Sequence, residues 1–302
     1  MIQKIFPAFG TLNTISIADN SALALAELVK RRMLQIHNRF SVFDAQSEIA
    51  QINQQAGLQP VAISEETFYL LSLAQAYYRK TKGTFDVTTG ALSALWREAI
   101  RTTTLPSQEA IAQCQAQCGM EHLALDLERG TAFLQEKGMQ LDLGGIVKGY
   151  AADEAKALLL AHDVQRAQIN FGGTVVAIGA AQRVGIQHPF AETGQAMASL
   201  SLHDQAIVTS GLYERCFFHE GKRYHHIIDP RTGMPATAGV LSVSLIGDEA
   251  VMLDALATGI CCLGVQEGLS LVQSHGLSAV FVDEQGNVQM TSDLQGELSF
   301  HG

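Results

Sequence analysis

Three stretches of this chain open on serine and close on glycine: SEIAQINQQAG from Ser47, SEETFYLLSLAQAYYRKTKG from Ser64, and SQEAIAQCQAQCG from Ser107, the last behind Pro106. A serine hydroxyl satisfies an otherwise orphaned amide at a helix start, and glycine adopts the left-handed turn that ends a helix. Between these marks the apolar residues recur at helical spacing, so each stretch is predicted to be a helix. SALALAELVKRRMLQIHNRF adds a longer helix capped by Ser21. GGIVKGYAADEAKALLLAHD adds one that opens on Gly144 and Gly145, and DEAVMLDALATGICCLG one capped by Asp248, with VQEGLSLVQSHG following as another. Strands are predicted in HLALDLERGTAFLQEKGMQLDL, QAIVTSG, RYHHIID, VLSVSLIG and SAVFVDEQGNVQMT, and on both sides of the Gly172-Gly173 break in RAQINFGGTVVAIG. Runs of helices and runs of strands are partly segregated, which favours an α+β fold with mixed or antiparallel sheets and flanking helices over a doubly wound sheet. No linker rich in Pro, Gly or Ser divides the chain, so residues 1–302 read as one compact unit with two sub-lobes.

At 302 residues and 47% hydrophobic, the chain has enough apolar material for a full core. The formal net charge of -10, without any Lys/Arg run, argues against a nucleic-acid partner. The same charge repels an anionic substrate, so a phosphate ligand needs a metal or a local cation. No stretch reaches about 18 uncharged apolar residues, so no membrane span is expected. The five cysteines, Cys114, Cys118, Cys216, Cys261 and Cys262, match neither a disulfide framework nor a zinc pattern and read as small core residues.

Three short stretches carry candidate chemistry. In DEAVMLDALATG, Asp254 and Thr258 lie one turn apart on the same helix face. A carboxylate and a hydroxyl make a hard, oxygen-only pair suited to Mg²⁺ or Ca²⁺, although Asp also complements a helix dipole and Thr also bonds back to its own helix. In LDLGGIVKGY, Asp142 precedes a glycine pair where backbone amides are free to approach an anion at a helix start. Lys148 in the first turn opposes the dipole, which points to an anionic partner, or else the side chain is in solvent. In KGTFDVTTGALSALWR, Asp86 and Thr88 alternate with Phe85 and Val87 as in a strand, ahead of the single tryptophan, Trp96. Phe85 and Asp86 together suit recognition of a ring and its polar edge, and a Trp packed under a strand accounts for them equally.

FDVTTG, LDLGGIVKGYAAD, NFGGTVVAIG, VTSG, HHIIDPRTGMP and DALATG, in this order and spacing, resemble the ApbE family, the FAD:protein FMN transferases, from about Phe9 to about Gly264. The resemblance implies a Mg²⁺ ion held by the side chains of Asp254 and Thr258 and by backbone groups of Gly145 and Ala257. It implies FAD contacts at Thr84, Phe85, Asp86, Asp142, Lys148 and His226, and less firmly at Phe9 and at Phe43, whose ring corresponds to one that packs against the flavin. Here PAFGT replaces the commoner Met-Gly-Thr, which weakens the Phe9 match.

The implied reaction splits FAD at its pyrophosphate, passes FMN to a Ser or Thr hydroxyl of an acceptor protein and releases AMP. Asp254 and Lys148 would neutralise developing charge, and His226 would take the acceptor's proton or bind phosphate. His225, its neighbour, should point to the opposite face. Asp229 would orient the turn through Arg231, Thr232 and Gly233, which is equally a plain Pro-initiated turn. The same residues would serve an FAD pyrophosphatase giving FMN and AMP. A non-catalytic flavin-binding protein is the other alternative, and it has no need of Mg²⁺. Many family members carry an export signal and a lipid-anchoring cysteine. Neither stands in this chain, so a cytoplasmic location is expected, or a periplasmic one if a leader has been removed.

Overall fold

Eight strands dispersed over nearly the whole chain meet in one sheet: β1 (Ile2–Ala8), β2 (Thr11–Ile17), β3 (Ala167–Phe171), β4 (Thr174–Ile178), β5 (Ala206–Gly211), β6 (Val240–Gly247), β7 (Ser278–Asp283) and β8 (Val288–Met290). The coordinates are a computed structural model that describes residues 2–18 and 22–301. Spatial order follows chain order, and every neighbouring pair is antiparallel. Each excursion leaves and re-enters the sheet at the same end, which is what antiparallel neighbours require. Parallel pairing survives only as an isolated bridge, Thr89 to Gln140, among the described residues. The tightest connections use residues with positive φ. Phe9 and Gly10 (φ 54 and 71) join β1 to β2, and Gly172 and Gly173 (φ 58 and 90) join β3 to β4. Such primed turns match the twist of the strands they connect.

The longest excursion, between β2 and β3, carries α1 (Ala22–Phe40), α2 (Glu48–Gln54), α3 (Glu65–Lys80), α4 (Gly90–Thr102), α5 (Gln108–Gln115) and α6 (Val147–Leu160), and α7 (Ala250–Leu263) and α8 (Val265–Ser274) lie between β6 and β7. One sheet face, with Ile15, Ile169, Val176, Val208, Val243 and Phe281, shares a core with α1, α6 and α7. The other face, with Val175, Ile207 and Val280, is covered by the hairpin Gln182–Gln187/Ala196–Leu202. Covered on both sides, β6 is buried at every position. A separate apolar cluster of Leu92, Trp96, Ile111, Phe217 and Ile228 unites α4 and α5 with the ribbon Cys216–His219/Lys222–His225, and forms the smaller sub-lobe. Cys114 and Cys118 pack at its edge, and Cys261 and Cys262 are buried in the main core. No helix among the described residues is long and apolar enough to cross a membrane.

The serine caps form as the sequence predicts. Ser47, Ser64 and Ser107 accept from the amides of Ala50, Thr67 and Ala110 at 2.9, 3.2 and 3.2 Å. Ser21 lies outside the described residues. Three expectations need correction. Residues 85–88 form a turn rather than a strand, because Asp86 Oδ1 accepts from both the amide and the hydroxyl of Thr88, at 2.7 and 2.6 Å. The strand expected over 223–229 is broken at His226 and Ile227, with Lys222–His225 and Ile228–Asp229 pairing to different partners. Asp248 does not cap α7. Asp153, from α6, accepts from the first α7 amides, Ala250 at 2.9 Å and Val251 at 2.8 Å. That cap comes from about 97 residues away in sequence, so no local pattern reveals it.

Candidate active site

α7 is the most enclosed helix of the fold, with buried residues on every side. Asp254 sits in it at 2% exposure. A carboxylate there needs partners, since an unpaired buried charge is strongly unfavourable. Lys148 supplies them: its Nζ lies 3.1 Å from Asp254 Oδ1 and 3.2 Å from Oδ2, and the Gly149 amide donates to Oδ2 at 3.0 Å. Lys148 Nζ also donates to the Gly144 carbonyl at 3.0 Å. The first-turn lysine is therefore anchored to protein rather than left in solvent. It is the counter-ion of Asp254, and its position against the α6 dipole follows from that pairing.

The pairing depends on how closely α6 and α7 cross. A Cβ on Gly149 would stand 2.2 Å from the Ala250 carbonyl oxygen. Glycine at that point lets the backbone of α6 rest on α7. Just ahead of α6, a Cβ on Gly145 would stand 3.1 Å from Thr258 Oγ1 and 3.3 Å from the Phe85 ring. The glycine-pair turn thus lies directly on the Thr258 hydroxyl, with Phe85 beneath. Thr258 donates to the Asp254 carbonyl at 3.0 Å and keeps its oxygen lone pairs. Ala257 is fully buried inside α7, where helix geometry directs its carbonyl along the axis.

Thr84 and Phe85 support this crossing from below. The Thr84 hydroxyl donates to the Gly259 carbonyl at 3.0 Å and to the Thr81 carbonyl at 2.8 Å, and both residues are buried. Asp86 is held by Thr88, and desolvation raises its pKa despite those hydrogen bonds. Asp142 accepts from the Gly144 amide at 2.9 Å and from Arg97 Nη2 at 3.0 Å. The Arg97 guanidinium also lies 4.8 Å from the centroid of Phe43, whose ring is 76% exposed. Arg97 is absent from the sequence-based set. Its only sequence signal is its place next to Trp96, and its partners lie 45 and 54 residues away.

His225 is buried and His226 exposed, although the strand expected to alternate them ends at His225. His225 is buried, with Nε2 3.0 Å from the Ala236 carbonyl and Nδ1 accepting from the Ile227 amide at 3.3 Å. Burial lowers its pKa to about 4. His226 keeps a solvent-exposed edge but is crowded by protein on its other side. That crowding, then the charges of Arg215, His225 and Lys148, pull its pKa below the ordinary histidine value, and the open edge limits how far. The His226 amide donates to the Arg215 carbonyl at 3.2 Å, and Arg215 Nη2 donates to the Gly10 carbonyl at 3.0 Å. Phe9 in that hairpin turn is edge-on to His37 and tilted against Phe171. Asp229 organises its turn, taking the amides of Thr232 and Gly233 on its carbonyl and Arg231 on its carboxylate, while the Trp96 indole donates to the Gly233 carbonyl at 2.8 Å.

The residues at the crossing suit a hard cation. No group of three or more His, Cys, Asp or Glu converges among the described residues. A divalent ion would rest on the Asp254 carboxylate, the Thr258 hydroxyl and main-chain oxygen beside Gly145. Asp254 Oδ1 takes one hydrogen bond, leaving it a further acceptor position. An oxygen-only set of this kind favours Mg²⁺ over zinc or copper.

The model of the ApbE family matches residues 9–281. A FAD:protein FMN transferase of Klebsiella pneumoniae (strain 342) is 35% identical over 270 residues, spanning 89% of this chain and 85% of that protein. Another, of Treponema pallidum (strain Nichols), is 37% identical over 268 residues, spanning 82% and 74%. The crystal structure of the ApbE protein of Thermotoga maritima aligns with a TM-score of 0.90 at 30% identity over 98% of both chains. The flavin transferase ApbE from Vibrio cholerae aligns at 0.81 and 25% identity, over 98% of this chain and 99% of that one. With a matching family model over almost its entire length, and the glycine-pair turn, Lys148, Asp254 and Thr258 brought to one crossing, this chain belongs to the ApbE family.

Proposed function

We propose that the protein is a Mg²⁺-dependent FAD:protein FMN transferase that moves the FMN part of FAD onto a Ser or Thr hydroxyl of an acceptor protein and releases AMP. The observation that carries this reading is the convergence of Lys148, Asp254, Thr258 and the Gly144-Gly145 turn, in a chain whose relatives bear that name. The acceptor oxygen forms a bond to the FMN phosphorus, the pyrophosphate P–O bond breaks, and AMP leaves with the bridging oxygen's electron pair. Mg²⁺, when bound at Asp254 and Thr258, supplies Lewis-acid polarisation of the pyrophosphate.

Lys148 provides a local cation in an otherwise acidic chain, and Asp254 keeps that cation fixed. His226 stays neutral at neutral pH, the form that accepts the acceptor's proton. Burial is the main cause of its lowered pKa; the negative charge of an arriving pyrophosphate works against the smaller Arg215 and Lys148 effects and favours proton uptake. The Gly144 amide is held by Asp142, so an amide that the turn offers the substrate comes from Gly145 onward.

The test is to incubate the protein with FAD and Mg²⁺, with and without candidate acceptor proteins, and to follow AMP and covalent flavin by mass spectrometry. AMP formed only with an acceptor, together with an acceptor mass gain of FMN, supports the transferase. AMP without any acceptor supports a pyrophosphatase, and absence of AMP supports flavin binding alone. Asp254→Ala and EDTA should each abolish AMP release; full activity of Asp254→Ala in metal-free buffer removes the metal role.

A further inference from the structure

Phe43 presents a conspicuous aromatic surface on the chain, at 76% exposure, yet its position is tightly defined. The loop that carries it is closed by its own hydrogen bonds: the Phe43 amide donates to Ser41 Oγ at 3.2 Å, Ser47 Oγ donates to the Ser41 carbonyl at 2.6 Å, and the Ser47 amide donates to the Asp44 carbonyl at 3.0 Å. The Arg97 guanidinium lies over the ring and at the same time grips Asp142, at the mouth of the glycine-pair turn. The Arg97 backbone is anchored, while its side chain is 45% exposed. Its neighbour Trp96 is fully buried in the smaller sub-lobe. At the start of α4 the Gly90 amide donates to the Gln140 carbonyl at 2.9 Å, so close that a Cβ on Gly90 would stand 2.5 Å from that oxygen. α4 and the segment leading to Asp142 are thereby held in fixed register, and Arg97 spans from one to the Phe43 loop.

We infer that Arg97 is a positioning residue for the flavin ring, bracketing Phe43 and Asp142 into one ring-binding edge beside the α6–α7 crossing. The inference rests on the flavin-transferase reading above. A planar cation on one face of Phe43 restricts the ring and leaves its other face to solvent, where a flat heteroaromatic ring stacks. The ion pair ties the Asp142 carboxylate to the same guanidinium, where it meets that ring's polar edge. Restricting the ring before binding removes an entropic loss that the complex would otherwise bear. Arg97→Lys should not substitute, since an ammonium lacks the flat guanidinium that stacks and pairs together.

The experiment measures affinity for FAD, riboflavin and AMP by flavin fluorescence and calorimetry, in wild type, Arg97→Ala, Arg97→Lys, Phe43→Ala and the Arg97→Ala/Phe43→Ala pair. Arg97→Ala is expected to weaken FAD and riboflavin alike by about fivefold to tenfold, from loss of one exposed cation–π contact and one partly exposed ion pair. AMP affinity and melting temperature should hold, and Arg97→Lys should stay weak. In the Phe43→Ala background, Arg97→Ala should change riboflavin affinity little, because the ring it restrains is gone. Unchanged riboflavin affinity in Arg97→Ala, or the same loss with and without Phe43, overturns the bracket while FAD binding by wild type stands. Wild-type protein that binds neither FAD nor riboflavin overturns the flavin reading, and the bracket with it.

Discussion

Replacing Gly149 by alanine sets two physical effects against each other with opposite signs. In the interior of a helix, Gly→Ala stabilises by roughly 0.5–1 kcal/mol through propensity alone. At this position the new methyl would meet backbone: 2.2 Å to the Ala250 oxygen, 2.7 Å to the Ala250 carbonyl carbon and 2.7 Å to Val251 Cα. An ordinary carbon–oxygen contact is about 3.3 Å or longer, so α6 and α7 must part by about 1 Å. Overpacking of that kind destabilises by about 1–3 kcal/mol. The same movement stretches the Gly149 amide bond to Asp254, a hydrogen bond to a charged group of about 1.5–3 kcal/mol. Together these outweigh propensity, and a net loss of about 2–4 kcal/mol is expected, read as a lower urea midpoint at unchanged slope. Lys148 and Asp254 should separate too, so AMP release should fall further than the folded fraction explains. Urea denaturation, followed by FAD binding and AMP release at a temperature where the variant is fully folded, measures both parts. A higher midpoint in Gly149→Ala would refute the close crossing, and with it the account of why a glycine follows Lys148.

Lys148→Met should destabilise as well as inactivate, by about 3 kcal/mol or more in urea, because it leaves the Asp254 carboxylate buried without its counter-ion; an unchanged midpoint would show that Asp254 is solvated. Asp153→Ala should lower stability by about 1–2 kcal/mol by uncapping α7. Its readout is hydrogen exchange at the Ala250 and Val251 amides, and unaltered protection there would refute the cap. His225 is neutral in the fold, with a pKa lowered to about 4 from 6.5, so its contribution is complete above pH 6.5 and is lost as pH falls through about 4, amounting to about 3 kcal/mol. Asp153 runs the other way, its burial-raised pKa of about 6 favouring the fold at low pH and losing that contribution as pH rises through about 6. His225→Gln should therefore flatten acid destabilisation between about pH 6.5 and 4, and identical pH slopes in variant and wild type would contradict the assignment. His226→Ala should slow transfer by roughly a hundredfold with little change in stability or FAD affinity, whereas His225→Ala should mainly destabilise; the reverse pattern would place the wrong histidine at the site.

Much of this protein is written locally. Ser47, Ser64 and Ser107 announce their helices because a hydroxyl reaches an amide only three residues on. That His225 is buried and His226 exposed was also expected, but the strand on which that expectation rested ends at His225. The spacing of Asp254 and Thr258 offered an oxygen pair on one helix face, and the family resemblance carried by the glycine-rich stretches nominated the other site residues and the chemistry. What the sequence could not contain was which distant group answers each local need. The carboxylate that caps α7 belongs to Asp153, the cation that neutralises Asp254 belongs to Lys148, 106 residues earlier, and the guanidinium over Phe43 belongs to Arg97. Asp248 lost the cap to Asp153, and the strand expected through Phe85 became a turn because Asp86 found Thr88. Each of these was decided where α6 settled against α7 and α4 against the loop before Asp142. A buried charge or an orphaned amide takes the partner that packing brings within 3 Å, and sequence distance has no bearing on that choice.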